Sequence, residues 1–288
     1  MLAAAVHPWA WRAHPEVWVL VGGLSYLYWY AVTKIGPKAV PAGTAPVTIG
    51  QRMWFVAAML TMWLASDWPV HDIGEQYLYS VHMFQHLVLT MVLPPMLLFA
   101  TPEWLLRLIL GHGLVEKVFM RLTRPIIATV IFNALFVFTH WPVMVNNAVQ
   151  IGWLHFGLHV LLVLAALMMW MPVAGPLPER RISYPAQMGY LFLQSVVPTV
   201  PAAALIMADG VVYTVYNKPY RLLGWSAVSD QQVAGLIMKL IGGFYLWTVI
   251  LIIFFKWQKL KEAEPHARTV ADVMAERESK RLASPAAR

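Results

Sequence analysis

The chain contains no cysteine. Disulfides, thiolate metal sites, iron–sulfur clusters and cysteine nucleophiles are therefore excluded, and any bound metal must be held by histidine, methionine, carboxylate or backbone groups. Charge is nearly as scarce: Asp, Glu, Lys and Arg make up 12% of 288 residues, against 59% hydrophobic positions. That leaves too little polar surface to coat a water-soluble globule of this size. A Lys/Arg stripe interleaved with aromatics is also missing, so the formal charge of +7 points to anionic lipid headgroups and not to nucleic acid. The start of the chain lacks a basic segment followed by a small-residue cleavage site, and is not expected to be a removed signal peptide.

What is present is a succession of apolar runs near the roughly 20 residues needed to cross a bilayer. They fall at 17–34, 53–66, 78–100, 125–144, 151–171, 187–208 and 233–255. The expected fold is all-α, a polytopic bundle of seven transmembrane helices. The body at 16–257 reads as one membrane domain, preceded by a short outer segment at 1–15 and followed by a charged cytoplasmic tail at 258–288, disordered or a short surface helix. The Pro/Gly-rich stretch 35–51 reads as a cytoplasmic loop. Alternate loops carry Lys34, Lys38 and Arg52, then Arg107, Lys117, Arg121 and Arg124, then Arg180 and Arg181, and lastly the tail from Lys256. Because cytoplasmic loops are enriched in Lys and Arg, the N-terminus is expected outside and the C-terminus inside.

Within the apolar runs lie two His-x-x-x-His pairs, His82/His86 and His155/His159. Imidazoles in hydrocarbon call for a compensating role, and i,i+4 spacing puts both members of a pair on one helical face, where they can share an ion. With the N-terminus outside, the third and fifth spans both descend from the outer face. His82 and His86 then lie roughly 7 and 13 Å below Tyr77, and His155 and His159 at similar depths. His140 falls near the outer end of the fourth span and His71 in the outer loop before the third. Equal depth on spans of equal direction predicts that the two pairs form one site.

Other residues gather at the same level. Asp67, Asp72, Glu75, Asp209 and Asp230 form an acidic outer rim able to concentrate cations, and Asp230 could orient an imidazole through a hydrogen bond or guard the mouth. Met62, Met83, Met144, Met207 and Met238 also fall in the outer half. Thioether is a soft ligand suited to Cu(I), although methionine in apolar helices is commonly packing. A lone histidine likewise often serves a helix–helix contact. The pair spacing by itself also serves di-iron oxygenases, haem proteins and zinc sites. Lys239, far from either end of its run, is expected to face the bundle interior or a wet cavity.

Five stretches carry a family resemblance. They are L-Y-S-V-H-M-F-Q-H-L-V-L-T-M-V-L-P-P-M-L-L-F-A-T-P, H-W-P, L-H-F-G-L-H, P-L-P-E-R-R-I-S-Y-P-A-Q-M-G-Y-L-F-L and W-S-A-V-S-D-Q-Q-V-A-G-L-I-M-K, spanning about 54–247. In this order they resemble the polytopic CtaG-type cytochrome c oxidase assembly factors. The resemblance implies a multi-pass protein of the bacterial plasma membrane that helps mature a haem–copper oxidase, plausibly by supplying its buried copper centre. His82, His86, His155, His159, His140, Asp230 and Met238 carry over by motif; the sequence departs at Lys239 and the Leu-Ile after it. The expected partners are the oxidase membrane subunit, an extracytoplasmic copper donor and lipids. The expected cargo is copper, as transiently bound Cu(I), held by the five histidines, with Asp230, Met238, Asp67, His71 and Met207 beside them or at the mouth. No catalytic activity is expected. The alternative is a redox protein holding haem between one histidine of each pair.

Overall fold

A computed structural model describes residues 9–282, the side chains of 263–271 excepted. Among the described residues every regular element is helical. The helices are α1 (Pro15–Tyr30), α2 (Ile49–Ser66), α3 (Val70–Gln76), α4 (Tyr79–Ala100), α5 (Glu103–Leu110), α6 (Leu114–Leu122), α7 (Pro125–Thr139), α8 (Pro142–Ala148), α9 (Gly152–Ala174), α10 (Tyr184–Ile206) and α11 (Ala227–Glu262).

Local chemistry sets these boundaries. Pro15, Pro125 and Pro142 open their helices, where a missing N–H is harmless and the fixed φ is already helical. Thr48 and Gln51 close a reciprocal capping box at the start of α2. The run expected as a fourth span over 125–144 is corrected on two counts: it breaks at His140–Trp141–Pro142, and α6 and α7 meet at 77° across Thr123–Arg124. The sixth expected span starts earlier, at Tyr184, and is interrupted at Val197–Pro198. The tail is neither disordered nor short over the described residues, since α11 runs on as helix to Leu282.

Four helices, α4, α9, α10 and α11, are long and apolar enough to cross a membrane, or five if the bent α6–α7 pair is one span. The difference from seven lies in α1 and α2. Helix α1 is 16 residues long and dense in Trp and Tyr, which suit the bilayer interface, and the 18-residue α2 carries Gln51 and Arg52 in its first turn besides Trp54 and Trp63, which lowers its mean hydropathy. Trp18, Tyr26, Trp29 and Tyr30 of α1, and Trp54 and Trp63 of α2, are exposed.

Helix α4 is the hub, packed by α2, α3, α9 and α11. Midway along it, residues Val88–Val92 form a π turn just before Pro94 and Pro95. Pro94 has no N–H for the Thr90 carbonyl four residues back, so that acceptor would be stranded in a dry interior. The indole of Trp170 on α9 donates to it at 3.1 Å. Further π turns follow α1 (Ala31–Ile35) and occupy Ile237–Ile241 of α11. Close approach also depends on two glycines. A Cβ on Gly235 would sit 2.8 Å from the Ala202 carbonyl of α10, and one on Gly74 of α3 would sit 3.1 Å from the backbone of His82.

Candidate metal centre

The two histidine pairs meet. His82 and His86 descend α4 with ring centroids 4.4 Å apart, and His155 and His159 descend α9 at the same separation. Since α4 packs on α9, the pairs face each other. His159 Nε2 lies 3.0 Å from His86 Nε2 and 2.9 Å from His155 Nε2. His82, His155 and His159 each offer a nitrogen within 4.8 Å of the others, and the His82 Nδ1 is buried with no hydrogen-bond partner.

This convergence has a chemical meaning. A neutral imidazole carries one N–H and one lone pair. His155 Nδ1 donates to Glu75 Oε1 at 2.8 Å, so its Nε2 presents a lone pair to His159. His159 Nε2 can give a proton to one of its two neighbours and not to both. Three nitrogens crowded on too few protons, together with a stranded fourth, form a donor set completed by a cation. The residues therefore fit an ion with imidazole preference, and no thiol is needed.

Glu75 comes from α3, the short helix that folds back against α4, and Gly74 lets it lie on the His82 backbone. Burial presses against its charged form, yet the hydrogen bond from His155 and the surrounding imidazoles outweigh that and hold the carboxyl below its ordinary range. Its second oxygen lies 3.5 Å from His71 Nε2. Burial pushes the His71 imidazole below its ordinary value, against the pull of Glu75. Gln85 donates to His71 Nδ1 at 3.2 Å, while its own carbonyl oxygen is buried without a partner. A groove of about 660 Å³ lined by α1, α2, α3, α4 and α9 reaches His155 and His159 from this side.

The remaining expected residues scatter. His140 stands beside the cluster, its ring 6.2 Å from that of His86. Asp230 touches no imidazole. Its Oδ2 accepts the Tyr79 N–H at 2.7 Å, and its Oδ1 accepts the Ser80 N–H at 3.2 Å and the Ser80 hydroxyl at 2.5 Å. It thus caps the N-terminus of α4, satisfying donors that no preceding turn can reach. Asp67 accepts from the indoles of Trp18 and Trp63 and from the Trp68 N–H, tying α1 to α2. Met238 is buried and shares a cleft with His86 and His140. Met207, at 79% exposure, lies apart from the cluster. Lys239 faces outward, not into the bundle interior, and its ammonium donates to Thr199 Oγ1 at 2.6 Å at the edge of that same cleft.

Sequence reasoning put Glu75 on the rim without seeing its bond to His155, and did not single out Gln85. The signal for Gln85 lies inside the first pair, one residue before His86. Glu75 carries no such signal, because its contact depends on α3 folding back.

Residues 26–259 match one family model, described as cytochrome c oxidase caa3 assembly factor (Caa3_CtaG). No curated protein and no solved structure matches the chain.

Proposed function

From a chain that belongs to the caa3 cytochrome c oxidase assembly factor family, we propose that the histidine cluster handles Cu(I) on its way to the copper centre of a haem–copper oxidase. The observation that carries this reading is the meeting of His86, His155 and His159 nitrogens at 2.9–3.0 Å, with His82 beside them. An assembly factor must release what it binds. A few imidazoles open to a groove suit transient binding better than a closed cage. The protein acts here as a carrier and not as an enzyme, taking copper from an extracytoplasmic donor and passing it to the oxidase membrane subunit. A haem held between the pairs is less well supported, because a macrocycle must fit between its two axial imidazoles and His86 and His159 are already in nitrogen–nitrogen contact. Copper analysis of the detergent-purified full chain loaded under reducing conditions tests the assignment. Bound Cu(I) without a Soret band is expected, and a Soret band with no copper uptake overturns it.

The direction of delivery rests on topology. In the proposed arrangement α1 and α2 also cross, giving seven spans in a bacterial plasma membrane with the N-terminus outside, the tail in the cytoplasm and the cluster in the outer half. A reporter fused after Lys256 is then active only in the cytoplasm and one inserted within 66–77 only outside. The reverse pattern moves every cluster histidine to the inner half and removes the delivery route.

A further inference from the structure

His140 is not one of the converging nitrogens, yet it has the same difficulty in a second place. Its Nδ1 lies 2.7 Å from the Phe136 carbonyl oxygen, and its Nε2 lies 3.3 Å from Met83 Sδ. With the proton on Nδ1, the hydrogen bond to Phe136 is made and the Nε2 lone pair is aimed at thioether lone pairs. With the proton on Nε2, the sulfur is served and the Nδ1 lone pair faces the Phe136 carbonyl oxygen at 2.7 Å, while the Thr139 hydroxyl, already donating to that carbonyl at 2.9 Å, offers Nδ1 only a long 3.4 Å contact. Neither tautomer satisfies both contacts. Met83 and His140 are 2% and 5% exposed, so water is a poor remedy. A cation between Nε2 and Sδ resolves the conflict with the first tautomer intact, and the Nδ1–H bond to a carbonyl is the usual way a ligating imidazole is held.

The donor set names the cation. One imidazole and one thioether are soft and uncharged, which favours a monovalent copper ion over zinc or the hard divalent cations. Met238 is buried and lines the same narrow cleft, with about 30 Å³ of free volume, together with His86, Met83, His140, Thr199 and Lys239. His86 therefore stands between the two centres, its Nε2 toward His159 and its ring 6.2 Å from that of His140.

We propose that Met83 and His140 form a second, soft Cu(I) site, separate from the His82–His155–His159 centre and joined to it through His86, from which copper leaves by the cleft beside Lys239. The proposal rests on the reading of the cluster as a copper carrier, and the two fail differently. X-ray absorption and copper analysis of the detergent-purified full chain, titrated with Cu(I), tests it. Wild type is expected to take up about two copper ions per chain with a sulfur atom bonded to copper, and Met83→Leu about one, with nitrogen ligands only. His140→Gln, which can still donate to Phe136, is expected to lose the same ion, and His155→Ala to keep the sulfur-ligated one. Copper bound through nitrogen alone, in equal amount by wild type and Met83→Leu, overturns the second site and leaves the carrier reading standing. No copper uptake by wild type overturns both.

Discussion

Replacing His159 by alanine is expected to weaken Cu(I) binding more than about 100-fold and to stop oxidase maturation, while the protein stays inserted and abundant. Among the described residues, His159 is the only one whose single nitrogen touches both pairs, 3.0 Å from His86 and 2.9 Å from His155. Its removal splits the donor set in two, and alanine is well tolerated in a span, so the fold has little reason to suffer. Glu75→Gln grades the effect. It keeps an acceptor for His155 Nδ1 but loses the charge that holds that imidazole in one tautomer, and such partners are typically worth about 10–100-fold in affinity. A competition titration against a Cu(I) chelator reads both variants. Equal affinity in His159→Ala and wild type would mean that the converging nitrogens hold no metal.

The second large effect is expected at Asp230. Alanine there strands the Tyr79 N–H, the Ser80 N–H and the Ser80 hydroxyl in a buried setting. At roughly 1–3 kcal/mol for each unsatisfied donor, the loss is on the order of 3 kcal/mol or more. Asp230→Asn retains an acceptor and should lose about half as much. Thermal unfolding in detergent, followed by tryptophan fluorescence, measures both, and a wild-type melting curve for the alanine variant would show that α4 needs no cap. Copper affinity should fall with stability, because the cap sits one turn above His82.

Depth along a helix was legible in the sequence, and azimuth was not. Rise per residue placed His82, His86, His155 and His159 at one level, and i,i+4 spacing fixed which members share a face. Nothing in one sequence says which way that face turns. Met207 shows the gap: assigned a matching depth, it lies on the outward side at 79% exposure. Asp230 was expected beside an imidazole or at the mouth, yet its partners are the Tyr79 and Ser80 N–H groups and the Ser80 hydroxyl, about 150 residues away in sequence, a contact that no local pattern encodes. Breaks of the helices could be read where proline marks them, as at Trp141–Pro142. The crossing of α1 and α2 turns on the shortness of α1 and on the polar first turn of α2, and there hydropathy and apolar run length part company.

Helix α11 carries Asp230, the residue that caps α4, in its first turn and runs unbroken into the charged tail, from Ala227 to Leu282, roughly 80 Å at 1.5 Å per residue. Along that length only the π turn at Ile237–Ile241, beside Met238 and Lys239, departs from α geometry. The tail and the cap of α4 are thus opposite ends of one helix with a single joint. A shift of this helix along its axis moves Asp230, and with it the first turn of the helix that carries His82 and His86.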